Sequence, residues 1–246
     1  MGNQPVDGRF CQCGDLAVRV YCGPVVNVSR VWQSPAFART VGASYDWAME
    51  QRSVARRFAR LVMGADVDRV YRAMGVIAEM PDGAAILDVP CGGGIAMLQL
   101  RPNQRVRYAS VDISAPMLQR ARRRVPAEHR DQVEIIESSI ERMPFGGGEF
   151  DLCVCFNGLH CVPDPALALA EIARCLRPGG RLVGEFAVRG QLHRADAYMT
   201  VLRATGTFGP AGTMSDARRW FAEAGLVIDV LECTGAITHF DAHRPG

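Results

Sequence analysis

The stretch Ile86-Leu87-Asp88-Val89-Pro90-Cys91-Gly92-Gly93-Gly94 determines how the rest of the chain is organised. The apolar residues from Ala84 to Leu87 predict a buried strand, and the acidic Asp88 ends it. Three successive glycines indicate a tight turn where the backbone comes very close to another group. The apolar pattern resumes at Ile95, which predicts a helix after the turn. A strand, a glycine turn and a helix in this order present backbone N–H groups to a ligand.

Three nucleotide-binding patterns compete for this turn. A dinucleotide fingerprint needs G-x-G-x-x-G, and its third glycine is replaced by Met97 when the pattern starts at Gly92. A phosphate loop of the Walker type needs a lysine, and the chain contains none. The third pattern, D-x-G-x-G-x-G, fits at Asp88, Gly92 and Gly94, with Pro90 in place of its first glycine. A nucleoside-binding turn is therefore the favoured interpretation.

Composition limits the possible partners and chemistry. The 246 residues are 48% hydrophobic and 22% charged, which is typical of one globular domain with an added cap or tail. The net charge of only +2 argues against binding to nucleic acid. All basic residues are arginine, which excludes Schiff-base chemistry at lysine. The nine cysteines form no C-x-x-C pair, and we see neither a secretory signal nor an apolar run long enough to span a membrane. We therefore expect no metal site, no stable membrane insertion and a cytoplasmic location.

The part of the chain before the first strand divides into two segments. Residues 1–27 lack periodicity, which predicts a disordered tail or extension; a metal site at Cys11, Cys13 and Cys22 is the alternative. Residues 28–82 read as an N-terminal helical cap, with apolar residues at helical spacing. Tyr45 and Trp47 in this cap are candidates for the substrate entrance, or else core aromatics.

The remaining chain, residues 83–246, alternates strands and helices. The second strand ends at Asp112, at about the distance from the glycines where an acid meets a ribose in a βαβ unit. Ser114 begins a helix in which Met117 packs against an adenine or in the core. Further strands are predicted at residues 133–136, 150–156, 181–186, 226–232 and 236–240. Residues 187–214 form an insert that is a candidate lid.

Taken together, these motifs resemble a known enzyme family. Leu87 to Gly94, Val111 to Ser114, Ile140 to Phe145 and Phe150 to Gly180 occur in the order and spacing of class I S-adenosylmethionine-dependent methyltransferases, in particular the small-molecule branch with the ubiquinone and menaquinone biosynthesis enzymes. The resemblance implies a Rossmann-like, doubly wound α/β fold. Its seven-stranded sheet is mostly parallel with an antiparallel last strand, and the helical cap precedes it.

The resemblance also implies a cofactor, S-adenosylmethionine, and a set of residues that bind it. Asp88 and the turn through Pro90, Cys91, Gly92 and Gly94 would hold its amino-acid end, and Asp112 would accept hydrogen bonds from the ribose hydroxyls. The adenine would lie near Ile113, Met117, Ser139 and Ile140. Asn157 and Gly158 would flank the methionine portion.

The expected reaction is methyl transfer to a small-molecule acceptor, which relies mainly on proximity and orientation. His160 follows the fourth strand and is the candidate general base, or else a structural histidine. Apolar residues of the insert, such as Tyr198 and Phe208, suggest an aromatic or lipid-like acceptor. Two alternatives stay open here: an NAD(P)-dependent oxidoreductase and a non-catalytic protein that binds S-adenosylmethionine.

Overall fold

The computed structural model describes residues 27–246, apart from the side chains of Ala38 and Tyr45. The predictions for the preceding tail and for a metal site at Cys11, Cys13 and Cys22 lie outside the described residues. Seven strands are present: β1 Ala85–Asp88, β2 Arg107–Asp112, β3 Val133–Glu137, β4 Phe150–Phe156, β5 Leu176–Ala187, β6 Val227–Thr234 and β7 Ile237–His243. Their bounds are close to the predicted ones, except that β5 begins five residues before the predicted 181.

All seven strands belong to one sheet with the order β3-β2-β1-β4-β5-β7-β6. The pairs among the first five strands are parallel, whereas β7 is antiparallel to both β5 and β6. This arrangement confirms the predicted doubly wound, mostly parallel sheet with an antiparallel last strand. The chain order reverses direction between β1 and β4, which brings the carboxyl ends of β1, β2 and β4 to one ligand-binding edge.

The helices lie on both faces of the sheet, and most match the predicted segments. The cap contains α1 Val28–Gln33, α2 Pro35–Phe37, α3 Ala43–Glu50, α4 Arg52–Phe58, α5 Asp68–Met74 and α6 Val76–Glu79, with π-helical turns at Ala38–Gly42 and Ala59–Met63. The later helices are α7 Ala115–Arg124, α8 Pro165–Cys175, α9 His193–Ala204 and α10 Met214–Glu223. Short 3₁₀ turns lie at Ala96–Gln99, Ala127–His129 and Leu159–Cys161. Within residues 27–246 no helix is both long enough and apolar enough to cross a bilayer.

The prediction of a helix directly after the glycine turn is wrong. Only the 3₁₀ turn Ala96–Gln99 forms there. Pro102 follows two residues after Leu100, and a proline disfavours helical geometry in the residue before it and blocks the helix ladder. Gly94 also lies against α7, since a Cβ there would come within 3.1 Å of the Ala121 Cα. Helix α7 therefore occupies the space beside the turn.

A buried ion pair fastens the cap to the glycine turn. The Asp46 carboxylate in α3 accepts two hydrogen bonds of 2.8 Å from the Arg124 guanidinium at the end of α7. The same guanidinium donates to the Gly93 carbonyl oxygen at 2.5 Å. A Cβ on Gly93 would lie 2.2 Å from the Asp46 carboxylate, so only glycine leaves room for this pair. One bidentate contact thus joins the cap, the turn and α7.

A second buried carboxylate lies beneath the turn. Asp88, at the end of β1, is almost fully buried and accepts a 3.0 Å hydrogen bond from the Tyr108 hydroxyl of β2. Burial raises the pKa of Asp88 to about 7, although the Tyr108 hydrogen bond opposes this shift. Because the charged form is disfavoured in this apolar setting, Asp88 should make stability depend on pH.

Replacing Asp46 with alanine should reduce the free energy of unfolding by about 3 kcal/mol, because the substitution leaves the partly buried Arg124 guanidinium without its main partner. The measurement is denaturant unfolding of the variant beside Arg72→Ala. That control removes an ion pair with Asp66 that is exposed, with an N–O distance of 3.1 Å, and should cost less than about 1 kcal/mol. Equal losses in the two variants would contradict a structural role for the Asp46–Arg124 contact.

The free energy of unfolding should fall as the pH rises from about 4 to about 7. In this range the folded protein keeps a proton on Asp88, whose pKa is about 7, while the unfolded chain has lost it. Asp88→Asn should keep the Tyr108 contact and be more stable than the unmodified protein at pH 8, by up to about 4 kcal/mol at about 1.4 kcal/mol per pKa unit. The advantage should disappear near pH 4. Asp131→Asn, at an exposed position, should show no such trend.

Candidate functional site

A cavity opens at the carboxyl edge of the sheet. Its wall combines the turn after β1, the ends of β2 and β4, the loop after β3 and the first cap helix. Most of the lining is apolar, with a few convergent polar groups, as is usual for a small-molecule site. The lining residues are Ser29, Trp32, Val89, Pro90, Gly92, Asp112, Ile113, Met117, Ser138, Ser139, Ile140, Phe156, Asn157, Gly158, Cys161, Val162 and Pro163.

Hydrogen bonds from two successive N–H groups hold the turn to the end of β2, and the first runs from Cys91 to the Val111 carbonyl oxygen at 2.8 Å. The Gly92 backbone N–H donates to Asp112 Oδ2 at 2.8 Å, and the Ser114 N–H donates to Asp112 Oδ1 at 2.8 Å. Gly92 has a left-handed φ of 53°, and the first atom that a Cβ there would meet is the Met117 methyl at 3.7 Å. The backbone of Gly92 therefore faces open space in the cavity wall.

Asp112 is the carboxylate on the cavity wall. Burial raises its pKa to about 6, while the backbone N–H groups of Ser114, Gly92 and Ile113 lower it and thus favour the ionised form. Each carboxylate oxygen can accept more than one hydrogen bond, so both retain acceptor capacity beside these N–H donors. The carboxylate can therefore receive a pair of neighbouring hydroxyl groups from a ligand.

Apolar side chains cover the wall beside Asp112. Ile113 lies between β2 and α7, Met117 lies in the first turn of α7, and Ile140 comes from the loop after β3. Ser139 lies next to Ile140 on the same wall, and its hydroxyl accepts a hydrogen bond from the Glu141 N–H at 3.2 Å. These residues form a flat apolar slot with one polar rim, which suits a planar heterocycle.

The end of β4 forms the opposite wall. Asn157 adopts a left-handed φ of 55°, and its Nδ2 donates to Glu185 Oε1 at 3.1 Å. Its backbone N–H donates to the Glu185 carbonyl oxygen at 2.8 Å. Gly158 packs against the ring of Pro90, since a Cβ on this glycine would lie 2.2 Å from the proline Cδ. The turns after β1 and β4 therefore touch directly at the floor of the cavity.

A buried polar pair supports Asn157 from behind. Glu185 on β5 and His239 on β7 are register partners, and Glu185 Oε2 lies 3.0 Å from His239 Nδ1. Both side chains are buried. Glu185 holds the Asn157 amide through its other oxygen, Oε1, and thereby orients this cavity residue.

Three of the residues predicted to bind the cofactor lie away from the cavity. Asp88 points into the sheet toward Tyr108, Cys91 packs in the core, and Gly94 contacts α7. Asp88 is the last residue of β1, and the alternation of side chains along that strand places it on the sheet face that Tyr108 occupies, whereas Cys91 and Gly94 belong to the turn. These three residues shape the turn and do not line the cavity. The other nine predicted residues do.

His160 occupies a structural position in the described fold. Its Nδ1 accepts a 3.0 Å hydrogen bond from the Ala187 backbone N–H, and its ring lies 4.3 Å from the Phe208 ring. Burial lowers the pKa of His160 to about 3, so the imidazole is neutral. Since Nδ1 uses its lone pair, Nε2 must carry the proton. The ring joins the loop after β4 to β5 and the insert, an arrangement that disfavours the predicted role as general base.

The aromatic residue on the cavity is not one that the sequence singled out. Trp47 is 54% exposed and does not line the cavity, and its role as a substrate contact stays a prediction. The side chain of Tyr45 lies outside the described part of the structure. Trp32 of α1 lines the cavity instead, and its indole N–H donates to the Thr207 carbonyl oxygen of the insert at 2.9 Å. The helical spacing alone gave no signal for this long-range contact.

Metal-ligating residues do not converge at this site. Across residues 27–246 no group of three or more His, Cys, Asp or Glu side chains is placed to hold a metal ion. Of the residues that line the cavity, Asp112 and Cys161 are the ionisable ones. Burial raises the pKa of the Cys161 thiol, which keeps it protonated.

Comparison with protein families and curated proteins gives a consistent result. Residues 87–184 match a family model described as a methyltransferase domain. Methyltransferase GfsG of Streptomyces halstedii is 30% identical over 172 residues, which cover 68% of this chain and 59% of that protein. Demethylmenaquinone methyltransferase of Lactiplantibacillus plantarum is 36% identical over 107 residues, which cover 42% and 45% of the two chains. The chain spans about a third to a half of the length of the first curated relatives that it matches.

Solved structures share the fold at lower identity. Geranyl diphosphate C-methyltransferase from Streptomyces coelicolor A3(2), solved with S-adenosyl-L-homocysteine, has a TM-score of 0.58 and 15% identity, covering 73% of this chain and 81% of that chain. The [4+2]-cyclase SpnF has a TM-score of 0.61 and 17% identity, covering 85% and 96%. The sequence matches and the shared fold agree. The chain therefore carries a methyltransferase domain, matched over residues 87–184.

Proposed function

We propose that this protein binds S-adenosylmethionine in the described cavity and transfers its methyl group to a small-molecule acceptor. The observation that carries the proposal is the Asp112 carboxylate, which faces the cavity beside the open backbone of Gly92. The residues of the wall fit the cofactor. The Asp112 carboxylate can accept hydrogen bonds from two hydroxyl groups, the apolar side chains can cover a planar ring, and Asn157 offers a polar amide. The methyltransferase domain match over residues 87–184 supports the same assignment.

Each group of cavity residues would bind a different part of the cofactor. Asp112 would accept hydrogen bonds from the ribose hydroxyls, and Ile113, Met117 and Ile140 would cover the adenine, with Ser139 at its polar edge. The turn residues Pro90 and Gly92 would lie along the methionine portion, together with Asn157 and Gly158. When bound, the cofactor supplies a methyl group that is already activated on a sulfonium sulfur.

The protein's own contribution is then alignment and exclusion of water. Trp32, Phe156 and Val162 supply apolar surface on the cavity wall, which disfavours water and favours an apolar acceptor. Since neither His160 nor Cys161 is placed or protonated to act as a base, the acceptor would present its nucleophile already ionised, or lose its proton to solvent. An acidic phenol, a thiol or an activated carbon of an aromatic or lipid-like molecule meets this requirement.

The oxidoreductase alternative loses support from the geometry of the turn. Binding a dinucleotide pyrophosphate requires a helix that begins at the glycines and directs its N–H groups to the phosphates. A 3₁₀ turn of four residues follows them instead, and the Met97 side chain is fully buried where a third glycine is needed.

A non-methylating role keeps one specific argument in its favour. A structure with the same fold is named as a [4+2]-cyclase, so this fold also supports chemistry that is not methyl transfer.

Turnover therefore has to be tested separately from binding. Incubation with methyl-labelled S-adenosylmethionine and a set of phenolic, quinone and lipid acceptors should give a labelled product. Tight binding with no label transferred across these acceptor classes would favour the non-catalytic alternative.

The expectations about partners and location belong to the same proposal. The partner would be a small molecule and not a nucleic acid, because the net charge of the chain is only +2. A cytoplasmic location is supported by the free thiols of six cysteines among the described residues.

Asp112→Ala should bind S-adenosylhomocysteine about 10- to 100-fold more weakly than the unmodified protein, because hydrogen bonds to a charged group contribute about 1.5–3 kcal/mol. Asp112→Asn should fall in between, since its amide keeps one acceptor oxygen. Isothermal titration measures the three affinities, and thermal unfolding shows whether each variant is folded. Asp131→Ala, which removes an exposed acid, should bind as the unmodified protein does. Undiminished affinity in folded Asp112→Ala would overturn the assignment.

Gly158→Ala should weaken cofactor binding and lower stability together, because the added methyl would collide with the Pro90 ring at the cavity floor. Overpacking of this kind typically costs about 1–3 kcal/mol. Gly147→Ala is the matched control, since its Cβ would meet its nearest neighbour at an ordinary 3.6 Å. Titration with S-adenosylhomocysteine and thermal unfolding are compared for both. A variant at Gly158 that behaves like the one at Gly147 would show that the two turns are not in close contact.

A further inference from the structure

Apolar side chains are exposed on the outer surface where the cap meets the insert. Val54 and Phe58 of α4 and Leu61 of the following π-turn are spaced as one helical stripe, and Leu61 is 71% exposed. Val201 of α9 is 61% exposed. We refer to these four residues as the cap–insert patch. Large exposed apolar side chains that cluster in this way indicate a surface with a binding role.

The patch is continuous across two separate elements. The Phe58 ring packs edge-on against the Tyr198 ring of α9, with 5.6 Å between the centroids. Arg194 at the start of α9 donates from Nε to the Leu61 carbonyl oxygen at 2.7 Å. Val201 follows Tyr198 by three positions, which places it on the same side of α9. The two helices therefore present their apolar residues on one shared surface.

Uncompensated positive charge borders the patch. Arg57 and Arg60 are exposed and directly precede Phe58 and Leu61 in the chain. Within the part of the chain that the structure describes, neither guanidinium forms an ion pair. The nearby acids are already engaged, since Asp68 pairs with Arg56 at 2.8 Å and Asp66 pairs with Arg72. The net charge of +2 for the whole chain conceals this local excess.

We infer that the cap–insert patch docks on an anionic lipid surface. Aromatic and aliphatic residues on one face with arginines on its flank are the composition of helices that lie in a membrane interface. The apolar side chains would enter the headgroup region, and Arg57 and Arg60 would attract the anionic lipids. No helix needs to span the bilayer for this contact.

The patch also has a structural link to the cavity. The insert that carries Val201 carries Thr207, whose carbonyl oxygen accepts the Trp32 indole N–H from the cavity wall. The insert thus contacts the cavity wall and also carries part of the patch. A lipid-like acceptor for the cavity rests on the proposed function, whereas docking itself does not.

The test is co-sedimentation with vesicles, without cofactor, so that its outcome is independent of methyl transfer. The protein should pellet with vesicles of equal parts phosphatidylglycerol and phosphatidylcholine, and much less with phosphatidylcholine alone. Binding should weaken at high salt, because exposed charges are screened. The double variant Phe58→Ser, Leu61→Ser should lower the partition coefficient at least about tenfold, since it removes most of the apolar anchor. Arg57→Gln, Arg60→Gln should remove the preference for the anionic vesicles.

The control is Leu167→Ser, which changes a leucine on α8 that is also about half exposed and lies outside the patch. It should bind vesicles as the unmodified protein does, and circular dichroism should show native helix content in every variant. An unmodified protein that stays in the supernatant with anionic vesicles would overturn the inference. So would an equal loss of binding in Leu167→Ser. A dimer that Phe58→Ser, Leu61→Ser converts to a monomer would identify the patch as a self-association surface instead.

Discussion

The hydrogen bond from the Gly92 N–H to the Asp112 carboxylate is the contact on which the rest of the site depends. It ties the turn after β1 to the end of β2 and lies in a buried setting, where an electrostatic hydrogen bond is strengthened and an unpaired charge is costly. The same carboxylate must remain free enough to meet a ligand on its other lone pairs. Asp112 both closes the turn and faces the cavity, so a substitution there affects the turn and the cavity wall together.

The glycine turn is confined from three directions, and this explains its sequence better than ligand binding alone. Gly92 faces the cavity, Gly93 makes room for the Asp46–Arg124 ion pair, and Gly94 lies against Ala121 of α7. The turn is therefore where the cap, the sheet and a helix on one face of that sheet meet. A ligand that contacts the Gly92 backbone would lie next to Gly93, which the Asp46–Arg124 pair joins to the cap. Ligand binding and the position of the cap would therefore affect each other.

Local patterns were sufficient to predict the sheet, and nine of the residues predicted to bind the cofactor line the cavity. Each strand is an apolar run of ordinary length, and the spacing from the glycines to Asp112 follows from one crossover unit. The patterns failed where a distant segment decides the outcome. Trp32 reaches the cavity because Thr207, 175 positions later, accepts its indole N–H, and His160 is occupied by the Ala187 backbone. The missing helix after the turn was a local error, because Pro102 already gave the stop signal.

The chemistry of the cavity wall argues for catalysis by position and not by proton transfer. A site built for acid–base work places titratable groups at the reacting centre with their pKa values tuned toward neutrality. Here the histidine beside the cavity is locked as a neutral structural group, and the thiol of Cys161 is held protonated by burial. What faces the ligand is a carboxylate, an amide held by Glu185 and apolar surface. In the proposed methyl transfer the transferred group is already activated on the sulfonium, so a cavity wall with few titratable groups is compatible with that reaction.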